Sequence, residues 1–311
     1  MPLGIRPTND FAFLKTFGSP ENKIALISLL NSILGLPQPI ADVTIVNPFN
    51  LQDFKDDKLS VLDVKAVDRN GAIYNVEMQI AVLPGLIPRL VFYGCEIYAD
   101  QLRSSDSYIE LRPAYTICLI EGQLWHDNRQ IHHAFKFTDS QSGRVLDGTL
   151  EIHTLELGKY NLQETDLATA SQMECWLYWF MHAHEYEPEA LLKLFPDAAF
   201  RQASQALAHI KEKTEDKVMY DSREKARLDR QWQLSSSFLA GKLEGEIEGK
   251  LEGKIEGKIE GKLEGKIDLI RTLQEILLLP PSPDSELRSL NLADLNERVN
   301  QLRQQIQQRT L

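Results

Sequence analysis

Apolar and polar residues alternate strictly along two short stretches within VLDVKAVDRNGAIYNVEMQ, residues 61–79. In the first, Leu62, Val64 and Ala66 share one face, while Val61, Asp63 and Lys65 share the other. In the second, Tyr74, Val76, Met78 and Ile80 alternate with Ile73, Asn75, Glu77 and Gln79. A period of two marks strands with one face on a core. Elsewhere the pattern changes. Residues 10–17 read as a first helix capped near Thr8 or Asn9. Residues 24–34 carry apolar positions at helical spacing, ended by Gly35 and Pro37. Residues 43–46 read as a strand. After the breakers Pro84, Gly85 and Pro88, residues 89–102 read as a helix lying across a sheet. Residues 114–120 are a buried strand by length and apolarity, and 132–138 another alternating run. Residues 173–181, with Trp176, Trp179 and Phe180, read as a buried helix. From about residue 187 the chain is helical and increasingly charged.

The hairpin register decides what its polar face can do. With Asn70-Gly71 as a two-residue loop, Asp63 pairs with Met78 and the carboxylates of Asp63 and Glu77 fall on opposite faces. With Arg69-Asn70-Gly71 as the loop, and Gly71 left-handed at a bulge, Asp68 pairs with Ala72 and Asp63 lies opposite Glu77. Both loops are common. Only the longer one puts the clean apolar run of each strand on one face and the polar residues on the other, and register follows that pattern. Like charges directly opposite destabilise a sheet. Two carboxylates kept there point to a cation between them, and hard oxygen ligands suit Mg²⁺ or Mn²⁺.

A second periodicity occupies residues 241–268, where Gly-Lys-Leu-Glu and its variants repeat in seven tetrads. On a helix a period of four stacks like on like, in stripes that drift about 40° per tetrad. Each Gly costs up to about 1 kcal/mol relative to Ala. Lys over Lys and Glu over Glu are mildly repulsive. The repeat also alternates as a strand would, and Gly is poor there too. Helix is the expected state, because the flanks are helical and a Gly every fourth residue lets a neighbouring helix approach. Such a helix is marginal alone and needs a partner, so assembly into a homo-oligomer through this tail is expected. Two amphipathic helices follow, over residues 269–279, stopped by Pro280-Pro281, and over 287–306.

The 311 residues allow one good-sized core plus an appendage. The net charge of −11 argues against a broad non-specific grip on nucleic acid. A nucleic-acid enzyme would have to gather its Lys and Arg around one cleft or borrow the grip from a partner. Cys95, Cys118 and Cys175 are odd in number and lack metal-ligand spacing, so reduced thiols in a cytoplasmic protein are expected. There is no basic-then-apolar leader pattern. No apolar run approaches the roughly 20 residues a spanning helix needs, so no membrane is expected. His182-Ala183-His184 do not share a helix face and have no evident third ligand; His132-His133 fare no better as a metal site. The aromatic cluster around Trp176 reads as core, and the tetrad charges as a solvated face.

Asp, a hairpin, then Glu-x-Gln resembles the PD-(D/E)XK nuclease core, with Gln79 where the final Lys usually stands. Thr8-Asn9-Asp10-Phe11-Ala12-Phe13 with Lys15 and Phe17-Gly18 resembles the opening of the Rpn family, recombination-promoting nucleases also described as transposases. Residues 89–98, 108–117 and 151–157 with Lys159 resemble its later segments. The resemblance spans roughly residues 5–200, and the tail also resembles C-terminal regions of such proteins. It implies an α/β fold, a mixed sheet flanked by helices, followed here by an all-helical tail. It implies metal-dependent cleavage of DNA phosphodiesters. By position, Asp63 and Glu77 would hold Mg²⁺ or Mn²⁺ with the backbone carbonyl of Met78, and Gln79 would position the attacking water. A neutral amide can orient water but lacks the charge that Lys gives a developing phosphorane. Lys65, on the same face, is as much a candidate for that charge as for a salt bridge to Asp63 or Glu77. Asp10 also matches a family position.

The resulting expectation is a nuclease domain over residues 1–210, a charged helical linker over 211–240, the tetrad helix over 241–268 and a helical end over 269–311. The leading functional expectation is a Mg²⁺-dependent DNA endonuclease. The alternative is a non-catalytic interaction protein on a decayed nuclease fold, working through its repeat tail. The intact Asp63, Glu77 and Gln79 set favours the first; the acidic balance and long tail keep the second alive.

Overall fold

The computed structural model describes residues 1–47 and 63–309. Six strands form a mixed sheet in the order β1-β2-β3-β4-β6-β5. They are β1 Val43–Ile45, β2 Asp63–Asp68, β3 Ile73–Gln79, β4 Ala114–Ile120, β5 His132–Lys136 and β6 Leu150–Glu156. β1, β2 and β3 are antiparallel; β3, β4 and β6 run parallel; β5 closes the far edge antiparallel to β6. A parallel pair needs a crossover, and helix α3, Leu86–Ala99, lies in the chain between β3 and β4.

The alternation read from the sequence sorts the two faces. Val64, Ala66, Tyr74, Val76, Met78, Ile117 and Leu119 join one core. Helices α1 (Asp10–Phe17), α2 (Lys23–Leu34), α4 (Gln172–His182), α5 (Pro188–Leu194) and α6 (Ala198–Glu212) contribute to the same core. Its centre is aromatic: Phe17 meets Trp176 edge-on at 5.7 Å, and Trp176 stacks on Phe200 at 4.0 Å. On the other face Asn75 and Glu77 lie beside Thr116 and Cys118 of β4, and Leu86 and Leu90 of α3 pack on Cys118 and Ile120. Gly94 permits that approach. A Cβ there would stand 2.9 Å from Leu150 Cδ1 and 3.2 Å from Thr116 Oγ1. Gly94→Ala is therefore expected to cost about 1–3 kcal/mol through overpacking, although Ala is the better helix former. Urea unfolding of the variant checks this, and a gain in stability would contradict the close packing of α3.

The structure departs from the sequence-based elements in four places. The single helix expected over 287–306 is two, Asp284–Arg288 and Leu292–Arg309, because Asn291 starts the second by accepting the Ala293 and Asp294 amides. α3 begins at Leu86, before Pro88, because proline is tolerated in a first helical turn. Residues 151–156 belong to β6, inserted between β4 and β5; their apolar and polar residues do not alternate cleanly enough to mark a strand. Residues 269–276 are not a separate helix. They end one continuous helix, α7, Thr214–Ile276. Val61 and Leu62, read as the start of the first hairpin strand, lie outside the described residues.

The chain divides into two compact units, Met1–Gln231 and Trp232–Leu311. The first extends past residue 210 because the first turns of α7 are buried in it. Asp216 is fully buried against Lys15 at 3.0 Å, and Tyr220 accepts a hydrogen bond from the Arg6 amide. In the second unit the end of α7 packs Ile267, Ile270, Leu273 and Leu277 against Leu287 of α8 (Asp284–Arg288) and Leu295, Val299 and Leu302 of α9 (Leu292–Arg309). The seven tetrads are helical, and those before Leu263 are exposed; a Cβ placed on any of their glycines would meet nothing within 4 Å. Among the described residues no helix is long and apolar enough to cross a membrane.

Candidate active site

The site starts from a turn. Asp68 Oδ1 accepts the backbone N–H groups of Asn70 at 2.8 Å and Ala72 at 3.0 Å, and the Asp68 N–H donates to the Ala72 carbonyl at 3.0 Å. Gly71 sits at φ +83°, a conformation that is cheap only without a Cβ. An Asx-type turn thus outcompetes the two-residue loop that Asn-Gly otherwise favours. The loop is Arg69-Asn70-Gly71, and the register follows: Asp63 opposite Glu77, Lys65 opposite Asn75.

Glu77 is only 5% exposed. Its Oε1 accepts the Asn75 amide at 3.2 Å, and its Oε2 accepts Arg89 Nη2, from α3, at 3.4 Å. A buried carboxylate needs such partners to stay charged. Cys118 is its neighbour on β4, and burial followed by the Glu77 charge pushes that thiol far up, so it is a neutral wall. Lys65 is half-buried, with its backbone N–H held by Asn47 Oδ1 at 2.7 Å. Gln79 is half-buried at the end of β3, where its carbonyl accepts the Glu121 amide at 2.9 Å. Met78 points its side chain into the core on the opposite face from Glu77. Its carbonyl is the atom to which the resemblance gives a role.

Asp10 takes its contacts from elsewhere. It opens α1, where Asn9 caps the helix by accepting Phe11 and Ala12 amides, and Arg223 of α7 lies 4.0 Å from its carboxylate. Burial pushes the Asp10 carboxyl up, against the pull of Arg223. Arg6 on the same segment reaches Glu121 at 3.9 Å. A polar cluster of Arg6, Asn9, Asp10, Glu121, Arg223 and Glu224 thus borders the strand end that carries Gln79.

The histidines form a separate network. His132 and His153 ring nitrogens share a hydrogen bond at 2.9 Å across β5 and β6, and His153 lies 3.4 Å from Glu151. Burial, then His153 and His133, lower the His132 pKa to about 4 from 6.5. A depressed histidine takes up protons more readily when unfolded. Its neutral form gives full stability above pH 6.5, and that stability is lost as pH falls toward 4. His132→Gln should flatten the pH dependence of the unfolding midpoint in that window; an unchanged slope would rule the residue out as its source. His182 pairs with Glu185 at 3.2 Å. Among the described residues no three His, Cys, Asp or Glu side chains gather to hold a metal. Two carboxylates and a carbonyl are nevertheless a donor set that fits Mg²⁺, which keeps several waters and takes few protein ligands.

Sequence reasoning missed Arg89 as a site residue. A lone cation in the apolar run LIPRLVF was a signal that it faces something polar. The segment 151–157 with Lys159 proves structural in part: the buried Glu156 carboxylate accepts the Leu124 and Trp125 amides and the Lys159 ammonium at 2.6, 3.0 and 2.9 Å.

No curated protein and no solved structure matches the chain. A family model matches residues 7–237, the mixed sheet with flanking helices is consistent with that fold, and the chain belongs to the PD-(D/E)XK nuclease family transposases.

Proposed function

We propose that the chain is a DNA endonuclease that hydrolyses phosphodiester bonds with a divalent cation, Mg²⁺ or Mn²⁺. The observation that carries the reading is the register: the two carboxylate residues of the family motif stand directly opposite each other, where the sheet gains nothing from them. Asp63, Glu77 and the Met78 carbonyl would hold the cation, which supplies charge stabilisation and a more acidic water. Asn75 and Arg89 orient the Glu77 carboxylate. Gln79 orients water near the phosphate. Arg89 supplies the positive charge that Gln79 lacks, with Lys65 the other cation on that face. Asp10 lies in the polar cluster at the strand end and fixes the start of α1. Three free thiols fit a cytoplasmic location. The tail, residues 241–268, assembles the chain into a homo-oligomer.

The test is nicking of supercoiled plasmid by the purified protein. Cleavage with Mg²⁺ or Mn²⁺ and none in EDTA is expected. No cleavage with either metal would turn the reading to the alternative, a non-catalytic interaction protein on a nuclease fold. The exposed apolar stripe of the tail is the observation that favours that alternative.

A further inference from the structure

One helix of this protein exposes more apolar side chain than a lone helix tolerates in water. Within the second unit, α7 presents Trp232 (71% exposed), Leu239, Leu243, Ile247, Leu251, Ile255 and Ile259 (51%) to solvent. At 100° per residue, Trp232, Leu239, Leu243 and Ile247 fall within an arc of about 80°. From Leu243 onward the stripe winds about 40° per tetrad. It then runs into the seam that α9 already covers, beginning at the partly buried Leu263. The uncovered stripe is therefore a continuation of an existing helix–helix interface. Exposed apolar patches of this kind mark interaction sites.

The charge pattern chooses the occupant. Around one turn the tetrad places Gly, Lys, Leu/Ile and Glu at successive steps of about 100°. Lys and Glu rows thus flank the Leu/Ile stripe on its two sides, and Gly lies about 160° away from it. Two identical helices meeting stripe to stripe in parallel set the Lys row of each beside the Glu row of the other, as facing flank positions do in parallel coiled coils. Antiparallel pairing of the same stripes sets Lys beside Lys and Glu beside Glu. Antiparallel packing of a Leu/Ile stripe on a Gly stripe also matches the charges. It joins two different faces, however, so it leaves both unfilled stripes free and grows without closing. Only the parallel, stripe-to-stripe arrangement buries apolar side chains from both helices, closes as a dimer and sets Lys beside Glu.

We infer that the occupant is a second copy of this chain, paired in parallel through Leu243–Ile259 of α7, with the Gly stripe facing away from the interface. This rests on the reading that the tail assembles. The contact rows are i, i+4, i+8, so the helices cross in the right-handed class near about −50° rather than as a heptad coiled coil. Glu246 interrupts the Lys row at one tetrad, so the contact centres downstream of it, around Leu251 and Ile255.

The test is cysteine cross-linking in the full-length chain with Cys95 replaced by Ser, beside light scattering. Leu251→Cys and Ile255→Cys should each form disulfide-linked dimers on mild oxidation, because parallel symmetry brings each stripe position near the crossing to its own copy. Gly249→Cys and Gly253→Cys should not. Glu246→Lys should raise the dimer fraction at low salt, and the gain should fade as salt rises. The light-scattering mass should be twice that of the chain. A monomeric mass overturns both the assembly and this arrangement. A dimeric mass with self-linkage at a single stripe position, or at the Gly positions, keeps the assembly and overturns the parallel pairing. Masses that grow with concentration favour the open Leu-on-Gly packing and overturn the closed dimer.

Discussion

Glu77→Ala is expected to abolish metal-dependent plasmid nicking, with a rate loss on the order of 10²–10³ or more, while the protein stays folded. The loss follows from position. Glu77 and Asp63 are register partners across β2 and β3, and in the proposed site a hard cation held by so few protein ligands would not be retained by one of them. The fold survives because Glu77 is a burden to it. The carboxylate is nearly excluded from water, and Asn75 and Arg89 are among its partners. Removing it deletes a buried charge. Arg89, whose side chain is 40% exposed, can turn to water. The Asn75 amide is the group left to find a new partner, so the unfolding midpoint should shift by only a few degrees. Asp63→Ala should behave in the same way. Titration of Mn²⁺ followed by its paramagnetic resonance separates the cause: bound Mn²⁺ should disappear in both variants. A Glu77→Ala protein that nicks plasmid as fast as its parent would remove the two-carboxylate site altogether.

The hairpin was legible because everything that fixes it is local. The alternation of Val64, Ala66, Tyr74, Val76 and Met78 with polar residues sets the faces, and the register then follows from one turn. Even there, Asn-Gly alone points to the wrong loop; the right one depends on Asp68, whose carboxylate takes two backbone N–H groups of the turn. What the sequence could not display is what packing brings from a distance. Arg89 lies in an apolar stretch that reads as an ordinary amphipathic helix. It becomes part of the site only because α3 crosses the sheet on the Glu77 face, a placement that Gly94 permits. β6 was recognisable as a family segment but not as a strand. It pairs with β4 along its length and with β5 on its other side, and such a doubly paired strand needs no clean alternation. In the tail the period of four fits helix or strand, the helical flanks and the spacing of the glycines favoured helix, and the structure shows one. Its continuity from Thr214 to Ile276 was not evident, because the changes in composition along it suggest boundaries that backbone hydrogen bonding ignores.

Arg89→Ala should slow cleavage by roughly 10–100-fold without emptying the metal site. The residue stands 3.4 Å from Glu77 Oε2, close enough to orient that carboxylate, and in the proposed reaction its guanidinium would lie beside the scissile phosphate. The motif itself offers only the neutral amide of Gln79 where the wider superfamily carries a cation. A guanidinium keeps its charge at every working pH, so it suits the task of meeting charge that develops on a phosphorane. Two variants separate this role from a merely structural one. Arg89→Lys keeps a cation at the same place and should retain more activity than Arg89→Ala, although it forfeits the planar fork. Adding Gln79→Lys to Arg89→Ala should recover part of the lost rate, since it moves the missing charge to the strand. A structural Arg89 would predict the opposite: the added lysine gives no recovery, and Arg89→Ala lowers the unfolding midpoint in proportion to its lost activity, because Glu77 is left buried without its cation. The measurement is single-turnover nicking beside Mn²⁺ binding and thermal unfolding for the four proteins. Arg89→Ala with full activity would pass the role to Lys65, the remaining cation on the Asp63–Glu77 face of the hairpin.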